Sequence, residues 1–288
     1  MKTDFVVSTR TGEVSGLVGK AELDGKKKDN IIVAVHGGTY SSKYFDVLGY
    51  SLVDRAISAG FDIIAIDRPG YGKTTALGNH ADMLHQNALR IVDFIPEVAD
   101  KLGLTLNGAV LIGHSMGGVI STTIAALAPN WPVKAIINSG FAQFLPSHLR
   151  DGFASLPDDY FVELPTPMKD QLMFGPAGTL SNDMPMASHI ANTRIPKAEL
   201  IDIGTGWADR LAELAPRVEV PVFHKLAEHE QLWDISHLEA FSKLFVRAPR
   251  MVSGIVKDAG HCIDFHRVGA MFQAEQLEFA AAAEASDV

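Results

Sequence analysis

The stretch Leu111-Ile112-Gly113-His114-Ser115-Met116-Gly117-Gly118 is the most informative part of this 288-residue sequence. An apolar run at 109–112 predicts a strand, and small apolar residues at 117–128 predict a helix. Between them lies a Gly-x-Ser-x-Gly pattern, which is typical of a sharp turn that holds a serine hydroxyl out above a sheet. Such a turn leaves little room for a Cβ at residues 113 and 117. Ser115 is therefore the first candidate nucleophile.

Apolar runs alternate with amphipathic stretches on both sides of this turn. Besides 109–112, strands are predicted at 5–9 and 14–19, as an antiparallel hairpin, and at 31–35, 62–66, 133–138, 218–223 and 251–256. Besides 117–128, helices are predicted at 44–59, 82–101, 235–245 and 268–282, with Pro96 kinking or splitting the second of these four. A polar turn is predicted at 24–29. This alternation predicts parallel βαβ units with helices on both faces of the sheet.

The alternation stops between residues 141 and 216. Eight of the 14 prolines lie there, and short helices separated by Pro and Gly fit the stretch better than strands do. We therefore predict a core formed by residues 1–140 and 217–288, with a helical cap at 141–216 that covers an apolar pocket. Five phenylalanines of this segment fit the cap's own core and substrate contacts equally well: Phe141, Phe144, Phe153, Phe161 and Phe174.

Composition and charge exclude several classes of protein. Lys and Arg number 25 against 34 Asp and Glu, and the resulting charge of -9 disfavours binding to nucleic acid or to anionic membranes. No apolar run approaches the length of about 18 residues expected of a membrane span, and the first seven residues lack the apolar core of a signal peptide. The single cysteine, Cys262, precludes an intramolecular disulfide and is predicted to be a small buried filler. A cytoplasmic protein is predicted.

Four short motifs occur in a specific order along the chain: His36-Gly37-Gly38, Asp67-Arg68-Pro69-Gly70-Tyr71-Gly72, Gly113-His114-Ser115-Met116-Gly117 and Gly260-His261. In this order and separation they resemble the landmarks of the α/β-hydrolase family, over nearly the whole chain outside the predicted cap. The resemblance implies an α/β-hydrolase fold, with a mostly parallel eight-stranded sheet, helices on both faces and an inserted helical cap. It also implies a catalytic triad in the order Ser, acid, His.

Within that resemblance, Ser115 matches the nucleophile and His261 the general base that takes the proton of the serine hydroxyl. Glu230 matches the acid that orients the histidine and stabilises its charged form. Glu228 and Asp234 flank Glu230 and stay open as alternatives. A glutamate here is a departure from the family, which usually carries aspartate at this position.

Two further departures concern the surroundings of the acid. Ala227 stands where the family usually has a glycine before the acid loop. Other members of the family carry their acid after the preceding strand, but Asn138 and Ser139 occupy that place. The acid is therefore assigned to the loop after the 218–223 strand.

An oxyanion hole requires two backbone N–H groups aimed at the developing negative charge. The resemblance assigns one to Met116, directly after the nucleophile, and one to Gly38 in the loop after the 31–35 strand, with Thr39 as the alternative. His36 is interpreted as a structural anchor of that loop.

Three other patterns fail when their spacing is counted. Gly72-Lys73-Thr74 resembles the end of a phosphate-binding loop, but Asp67 stands where the first glycine is required. His229-Glu230 begins a zinc-protease pattern whose second histidine is replaced by Trp233. Gly204-Thr205-Gly206 lacks the third glycine of a dinucleotide fingerprint. We therefore predict no cofactor and no metal site.

The prediction that follows is a serine hydrolase acting on a carboxylic ester or lactone of a small to medium, largely apolar molecule, through an acyl-enzyme on Ser115. Two alternatives stay open. The same triad serves other reactions in such folds, including carbon–carbon bond hydrolysis, thioester hydrolysis and cofactor-free oxygenase or lyase chemistry. The second alternative is a small-molecule receptor that keeps the fold without turnover.

Overall fold

The computed structural model describes residues 1–22 and 27–284, so residues 24–26 of the predicted polar turn lie outside it. Within this description, eight strands form one sheet in the order β1-β2-β4-β3-β5-β6-β9-β10, and two short strands, β7 and β8, pair separately. The strands are β1 Lys2–Thr9, β2 Gly12–Gly19, β3 Ile31–Val35, β4 Ile63–Ile66, β5 Ala109–His114, β6 Val133–Ser139, β7 Phe161–Val162, β8 Ile195–Pro196, β9 Val222–His229 and β10 Met251–Gly260. β2 pairs antiparallel with β1 and with β4, and the other neighbours are parallel. The predicted fold class is confirmed.

Helices cover both faces of the sheet, as the alternation predicted. The α-helices are α1 Leu52–Ser58, α2 Met83–Lys101, α3 Met116–Leu127, α4 Ser147–Ala154, α5 Thr166–Met173, α6 Lys197–Thr205, α7 Trp207–Leu214, α8 Leu238–Lys243 and α9 Gly269–Glu284. Successive residues of β3 point to opposite faces: Val33 packs in a cluster with α2 and α3, and Ile32 in a cluster with α1 and α9. The sheet is thus buried on both sides, which explains why its central strands are continuous apolar runs.

Several predicted elements differ in their bounds, and two of these differences have a clear local cause. The helix predicted at 44–59 is a 3-10 helix at Ser42–Asp46, followed by a turn at 48–49 and then by α1, because Gly49 has a φ of +85° and Ser51 caps a new helix by accepting the N–H of Asp54. The strand predicted at 218–223 begins only after Pro221, which lacks an N–H, and runs to His229. The polar residues in the second half of this strand interrupt the apolar pattern, so the sequence did not indicate its full length.

Pro96 neither splits nor ends helix α2, which continues to Lys101. A proline removes the hydrogen bond to the carbonyl four residues earlier, which here belongs to Val92. The indole N–H of Trp131 donates to that carbonyl at 3.1 Å. The lost helical bond is therefore replaced by a tertiary one.

The segment 141–216 contains α4 to α7, several 3-10 turns and the β7–β8 pair, which no sequence pattern had predicted. It lies over the carboxyl ends of the central strands, since Tyr40, just after β3, bridges to Asn192. In the described part of the chain, no helix is long and apolar enough to cross a lipid bilayer.

Candidate active site

Ser115 lies in the turn between β5 and α3, at the carboxyl edge of the sheet. Its φ of +54° and ψ of −123° are rare for a residue with a side chain and cost of order 1–3 kcal/mol. The turn is closed from below, because a Cβ on Gly117 would lie 1.9 Å from the carbonyl oxygen of Val35. Glycine is thus required at 117 for a reason of packing, and the strained serine is held by it.

The alanine variant of Gly117 is expected to be destabilised by about 1–3 kcal/mol, because its methyl group meets fixed backbone of β3. Gly152→Ala is the matched control: Gly152 lies in α4 with open space where a Cβ would be. That change is expected to stabilise the protein by up to about 1 kcal/mol through helix propensity. Denaturant unfolding measures both. Equal stability of the two variants would contradict the close packing of Gly117 against β3.

The structure places Glu230 against His261. The imidazole Nδ1 lies 2.9 Å from each carboxylate oxygen, and both side chains are buried. The two residues follow the ends of β9 and β10, where Gly260 pairs with His229. Nδ1 therefore carries the proton and donates a hydrogen bond to the carboxylate. Among the described residues, Nε2 of His261 has no hydrogen-bond partner although it is buried.

The other two candidate acids are engaged elsewhere. Glu228 accepts from the Lys257 ammonium at 2.7 Å, on the exposed side of the strand. Asp234 accepts from the backbone N–H of Ser236 at 3.0 Å and begins a short 3-10 helix. Of the three carboxylates left open by the sequence, Glu230 is the one that the structure brings to His261.

The positions at the end of β6 have structural partners. Asn138 donates to the hydroxyl of Thr122 at 3.1 Å, and Ser139 lies 3.3 Å from Nδ1 of His114. The ring of His114 stacks on Tyr44 and lies 4.9 Å from the ring of His261. Burial holds the pKa of His114 well below its usual value, so this histidine is neutral.

The three candidate oxyanion residues converge on Ser115. Gly38, Thr39 and Met116 line the same cavity as the serine, and a Cβ on Gly38 would lie 3.0 Å from the Met116 sulfur. Met116 is the first residue of α3, where backbone N–H groups have no partner within the helix. Thr39 has a φ of +62°. The loop after β3, residues 36–39, is named the oxyanion loop below.

His36 ties the oxyanion loop to the loop after β4, as the anchor interpretation predicted. Its Nδ1 donates to the carbonyl of Gly37 at 2.7 Å, and its Nε2 accepts the backbone N–H of Arg68 at 3.1 Å. Burial, reinforced by the charge of Arg68, holds the pKa of His36 well below its usual value. A neutral ring suits a residue that donates through one nitrogen and accepts through the other.

Sequence reasoning missed a buried ion pair beside this loop. Both Arg68 and Glu199 are fully buried, and the guanidinium donates to the two carboxylate oxygens at 2.7 and 2.9 Å. Arg68 also donates to the carbonyls of His36 and Gly37. Arg68 belongs to the motif at 67–72. Nothing in the sequence indicates that Glu199, which lies in α6, is its partner.

A narrow apolar cavity lies above Ser115. The structure gives it a free volume of about 50 Å³, and no charged side chain lines it. Its walls come from the oxyanion loop, the turn between β5 and α3, the segment 141–216 and the loop after β9: Gly38, Thr39, Ser115, Met116, Leu145, Phe153, Leu164, Leu172, Met173, Ile195, Leu200, Ile203, Leu232 and Trp233. The volume is far below the 300–1,000 Å³ typical of ligand sites.

The phenylalanines of the predicted cap divide between several places. Phe153 lines the cavity, and Phe141 is buried against Trp207 and His224. Phe144 is partly exposed, and Phe161 lies under the guanidinium of Arg194. The last of the five, Phe174, stacks on Phe265.

Cys262 is fully buried, as the filler interpretation predicted, and burial raises the pKa of its thiol to about 12. Such a thiol is not a nucleophile near neutral pH. Throughout residues 1–22 and 27–284, no group of three or more His, Cys, Asp or Glu side chains could hold a metal ion.

Comparison with known proteins identifies the family. The sequence profile of the alpha/beta hydrolase family matches residues 32–274. The bifunctional esterase/perhydrolase DCH of Acinetobacter calcoaceticus is 33% identical over 116 residues, which are 40% of this chain and 38% of that protein. The sn-1-specific diacylglycerol lipase ABHD11 of Danio rerio is 30% identical over 116 residues, which are 40% of this chain and 33% of that protein. The match thus spans between 33% and 38% of these relatives' lengths.

Solved structures of the same fold cover almost the whole chain. A thermophilic esterase from Thermogutta terrifontis superimposes with a TM-score of 0.66 at 16% sequence identity, over 99% of both chains. At this identity the likeness concerns the fold alone. The profile match covers most of the sequence and shows the family: the chain belongs to the alpha/beta hydrolase family.

Proposed function

We propose that the protein is a serine hydrolase that cleaves a carboxylic ester or lactone of small to medium, largely apolar shape. The observation that carries the proposal is the arrangement around His261, whose Nδ1 contacts both oxygens of Glu230 while Nε2 has no partner among the described residues. A base held in this tautomer accepts a proton from a nearby hydroxyl. The strained backbone of Ser115, at the same edge of the sheet, supports its role as that hydroxyl.

Acylation follows from these roles. The Ser115 oxygen attacks the carbonyl carbon and its proton passes to Nε2 of His261, while Glu230 stabilises the imidazolium. The carbonyl electrons move to the oxygen, which accepts hydrogen bonds from the N–H groups of Gly38 and Met116. When the carbonyl re-forms, the bond to the alcohol breaks and His261 returns the proton to the leaving oxygen. The product of this half is an acyl ester on Ser115.

Deacylation repeats the sequence with water. His261 takes a proton from a water molecule, whose oxygen attacks the acyl carbon, and the same two N–H groups stabilise the negative charge. Collapse releases the carboxylic acid and returns the proton to Ser115. Every proton that leaves is restored, so the cycle requires no cofactor or metal.

The lining of the cavity supports an apolar substrate, and its small volume supports a lid function for residues 141–216. These residues supply much of the wall, including Leu172, Leu200 and Ile203. Enclosed apolar walls exclude water and reject charged groups. Entry then requires this lid to move. A cytoplasmic location remains part of the proposal and rests on the single cysteine.

Incubation with a fluorophosphonate tests the nucleophile directly. A single adduct is expected on Ser115, located by intact mass and peptide mapping, and it is expected to be absent from the Ser115→Ala variant. Folded protein that forms no adduct and hydrolyses no ester would contradict the proposal and favour the receptor alternative.

A series of p-nitrophenyl esters tests the apolar preference. From acetate to butyrate to hexanoate, kcat/KM is expected to rise up to about fourfold per added methylene, since each buried CH₂ contributes about 0.8 kcal/mol. The matched control is the hydrogen succinate ester, similar in length to the butyrate but carrying a carboxylate that the cavity walls cannot pair. Equal rates for the succinate and butyrate esters would contradict an apolar acyl site.

A further inference from the structure

Lys169 is a buried lysine on helix α5, within the segment 141–216, and the proposed mechanism leaves it without a role. Only 2% of the residue is exposed. Its ammonium group donates to the carbonyl of Thr39 at 2.7 Å and to the side-chain carbonyl of Asn192, and it lies 3.3 Å from the centre of the Tyr40 ring. Burying a lysine is costly, and all three of these contacts are at or beside the oxyanion loop.

Thr39 is the strained residue of that loop. Its φ of +62° places a β-branched side chain in the left-handed region, which costs of order 1–3 kcal/mol and persists only where surrounding contacts hold it. The contacts at its carbonyl come from 141–216: besides Lys169, the backbone N–H of Thr193 donates to it at 3.0 Å. The conformation of Thr39 is thus held by hydrogen bonds from the lid.

The rotation at Thr39 controls the peptide before it. Gly38 and Thr39 share one planar peptide, so a change in φ of Thr39 turns that plane and shifts Gly38 with it. Without the hydrogen bonds to its carbonyl, Thr39 is expected to relax toward negative φ. The N–H groups of Gly38 and Thr39, the two candidates for the oxyanion donor, would then no longer point at the space above Ser115.

We propose that Lys169 is a positioning residue, which holds Thr39 in its left-handed conformation and thereby aligns the backbone N–H of the oxyanion loop. The inference rests on the proposed serine hydrolase function and adds a residue to it. It also makes the alignment of the site conditional on the lid, since the ammonium group comes from α5.

The proposal gives a kinetic test with four proteins: wild type, Lys169→Met, Thr39→Gly and the double variant. Lys169→Met is expected to lower kcat for p-nitrophenyl butyrate about 10- to 100-fold with KM changed less than about threefold, because misaligned donors weaken transition-state binding. Glycine adopts the left-handed conformation without strain. In the Thr39→Gly background the lysine change is therefore expected to cost less than about threefold. Equal losses in both backgrounds, or a Lys169→Met enzyme within twofold of wild type, would overturn the proposal.

Amide hydrogen exchange tests the same point without requiring turnover. Peptides that cover residues 36–41 are expected to exchange at least about tenfold faster in Lys169→Met than in wild type, as local holding contacts are lost. Lys197→Met is the matched control: this lysine is also in the lid, but its partner Asp158 is exposed. If the wild type forms no fluorophosphonate adduct and cleaves no ester, the proposed function fails while exchange still decides the role of Lys169. Unchanged exchange in folded Lys169→Met overturns it.

A second variant covers the case in which Lys169→Met does not fold. Asn192→Ala removes one acceptor of the ammonium group and leaves the lysine in place. The same acceleration of exchange at 36–41, smaller in size, is expected from a variant whose thermal unfolding stays cooperative. Exchange in Asn192→Ala equal to that of wild type would count against the proposal.

Burial lowers the pKa of Lys169 to about 7, which adds a pH signature. The groups that face it are Tyr40 and Cys262, whose pKa values burial raises, His36 and His114, whose pKa values burial lowers, and Asp170, which pairs with His189. Below pH 7 the lysine is charged and attracts the Thr39 carbonyl strongly; above pH 7 it becomes neutral and the attraction weakens. A fall in kcat as pH rises through about 7 is expected in wild type and expected to be absent in Lys169→Met. A fall of the same size in both enzymes would contradict this role of the charge.

Discussion

Ser115→Ala is expected to lower kcat/KM for ester hydrolysis by about 10⁴-fold or more, because the acyl-enzyme cannot form and only binding and oxyanion stabilisation remain. The change removes one oxygen atom and leaves the apolar walls of the cavity in place. Steady-state hydrolysis of p-nitrophenyl butyrate by equal amounts of folded wild type and variant measures the loss.

Ser121→Ala provides the control for this experiment. Ser121 is a buried serine of the same helix, α3, and its hydroxyl has no hydrogen-bond partner among the described residues. Its removal is expected to leave kcat/KM within about twofold, since it breaks no described interaction. Activity of Ser115→Ala above a tenth of the wild-type value would exclude Ser115 as the nucleophile.

Glu199→Gln is expected to lower the free energy of unfolding by about 3–5 kcal/mol, because it leaves the Arg68 guanidinium buried without a counter-ion. The amide also mismatches its surroundings. Both carboxylate oxygens accept a hydrogen bond from Arg68, and each accepts a second one, from Asn87 or from Tyr71, so an NH₂ group at either place would face a donor. Denaturant unfolding at pH 7 measures the change.

Asp158→Asn serves as the matched control, because Asp158 is likewise a carboxylate paired with a cation, Lys197, but is exposed. No measurable change in stability is expected there, since surface ion pairs are screened by water. A loss below about 1 kcal/mol for Glu199→Gln would contradict a buried, mutually dependent pair.

The fold was predictable from sequence because its central strands are buried on both faces. Continuous apolar runs such as 31–35 and 109–112 are typical of strands in the interior of a sheet. The order of the motifs then indicates the topology. The prediction was wrong where local polar chemistry decided the structure. Ser51 began a helix that the apolar pattern had started too early, and the polar residues of β9 hid half of that strand.

The candidate site was predictable where it depends on the ends of strands. Ser115, Glu230 and His261 each follow one of the parallel strands of the sheet, so all three lie at the carboxyl ends of those strands. The partners from 141–216 were not predictable, since charged residues such as Lys169 and Glu199 are normally on the surface. Their burial depends on contacts more than 100 residues away in sequence, which no local pattern records.

The hydrogen bonds between residues 39–41 and residues 191–193 also bear on how segments can be exchanged between members of this family. The backbone N–H of Ser41 donates to the carbonyl of Ala191, and the backbone N–H of Thr193 donates to that of Thr39, so residues 141–216 contribute backbone hydrogen bonds as well as a wall of the cavity. A chimaera that exchanged residues 141–216 for the corresponding segment of a relative would lose these bonds together with Lys169 and with Glu199, the buried counter-ion of Arg68. In this protein, a segment transplanted in place of 141–216 would have to be grafted with a matching loop after β3.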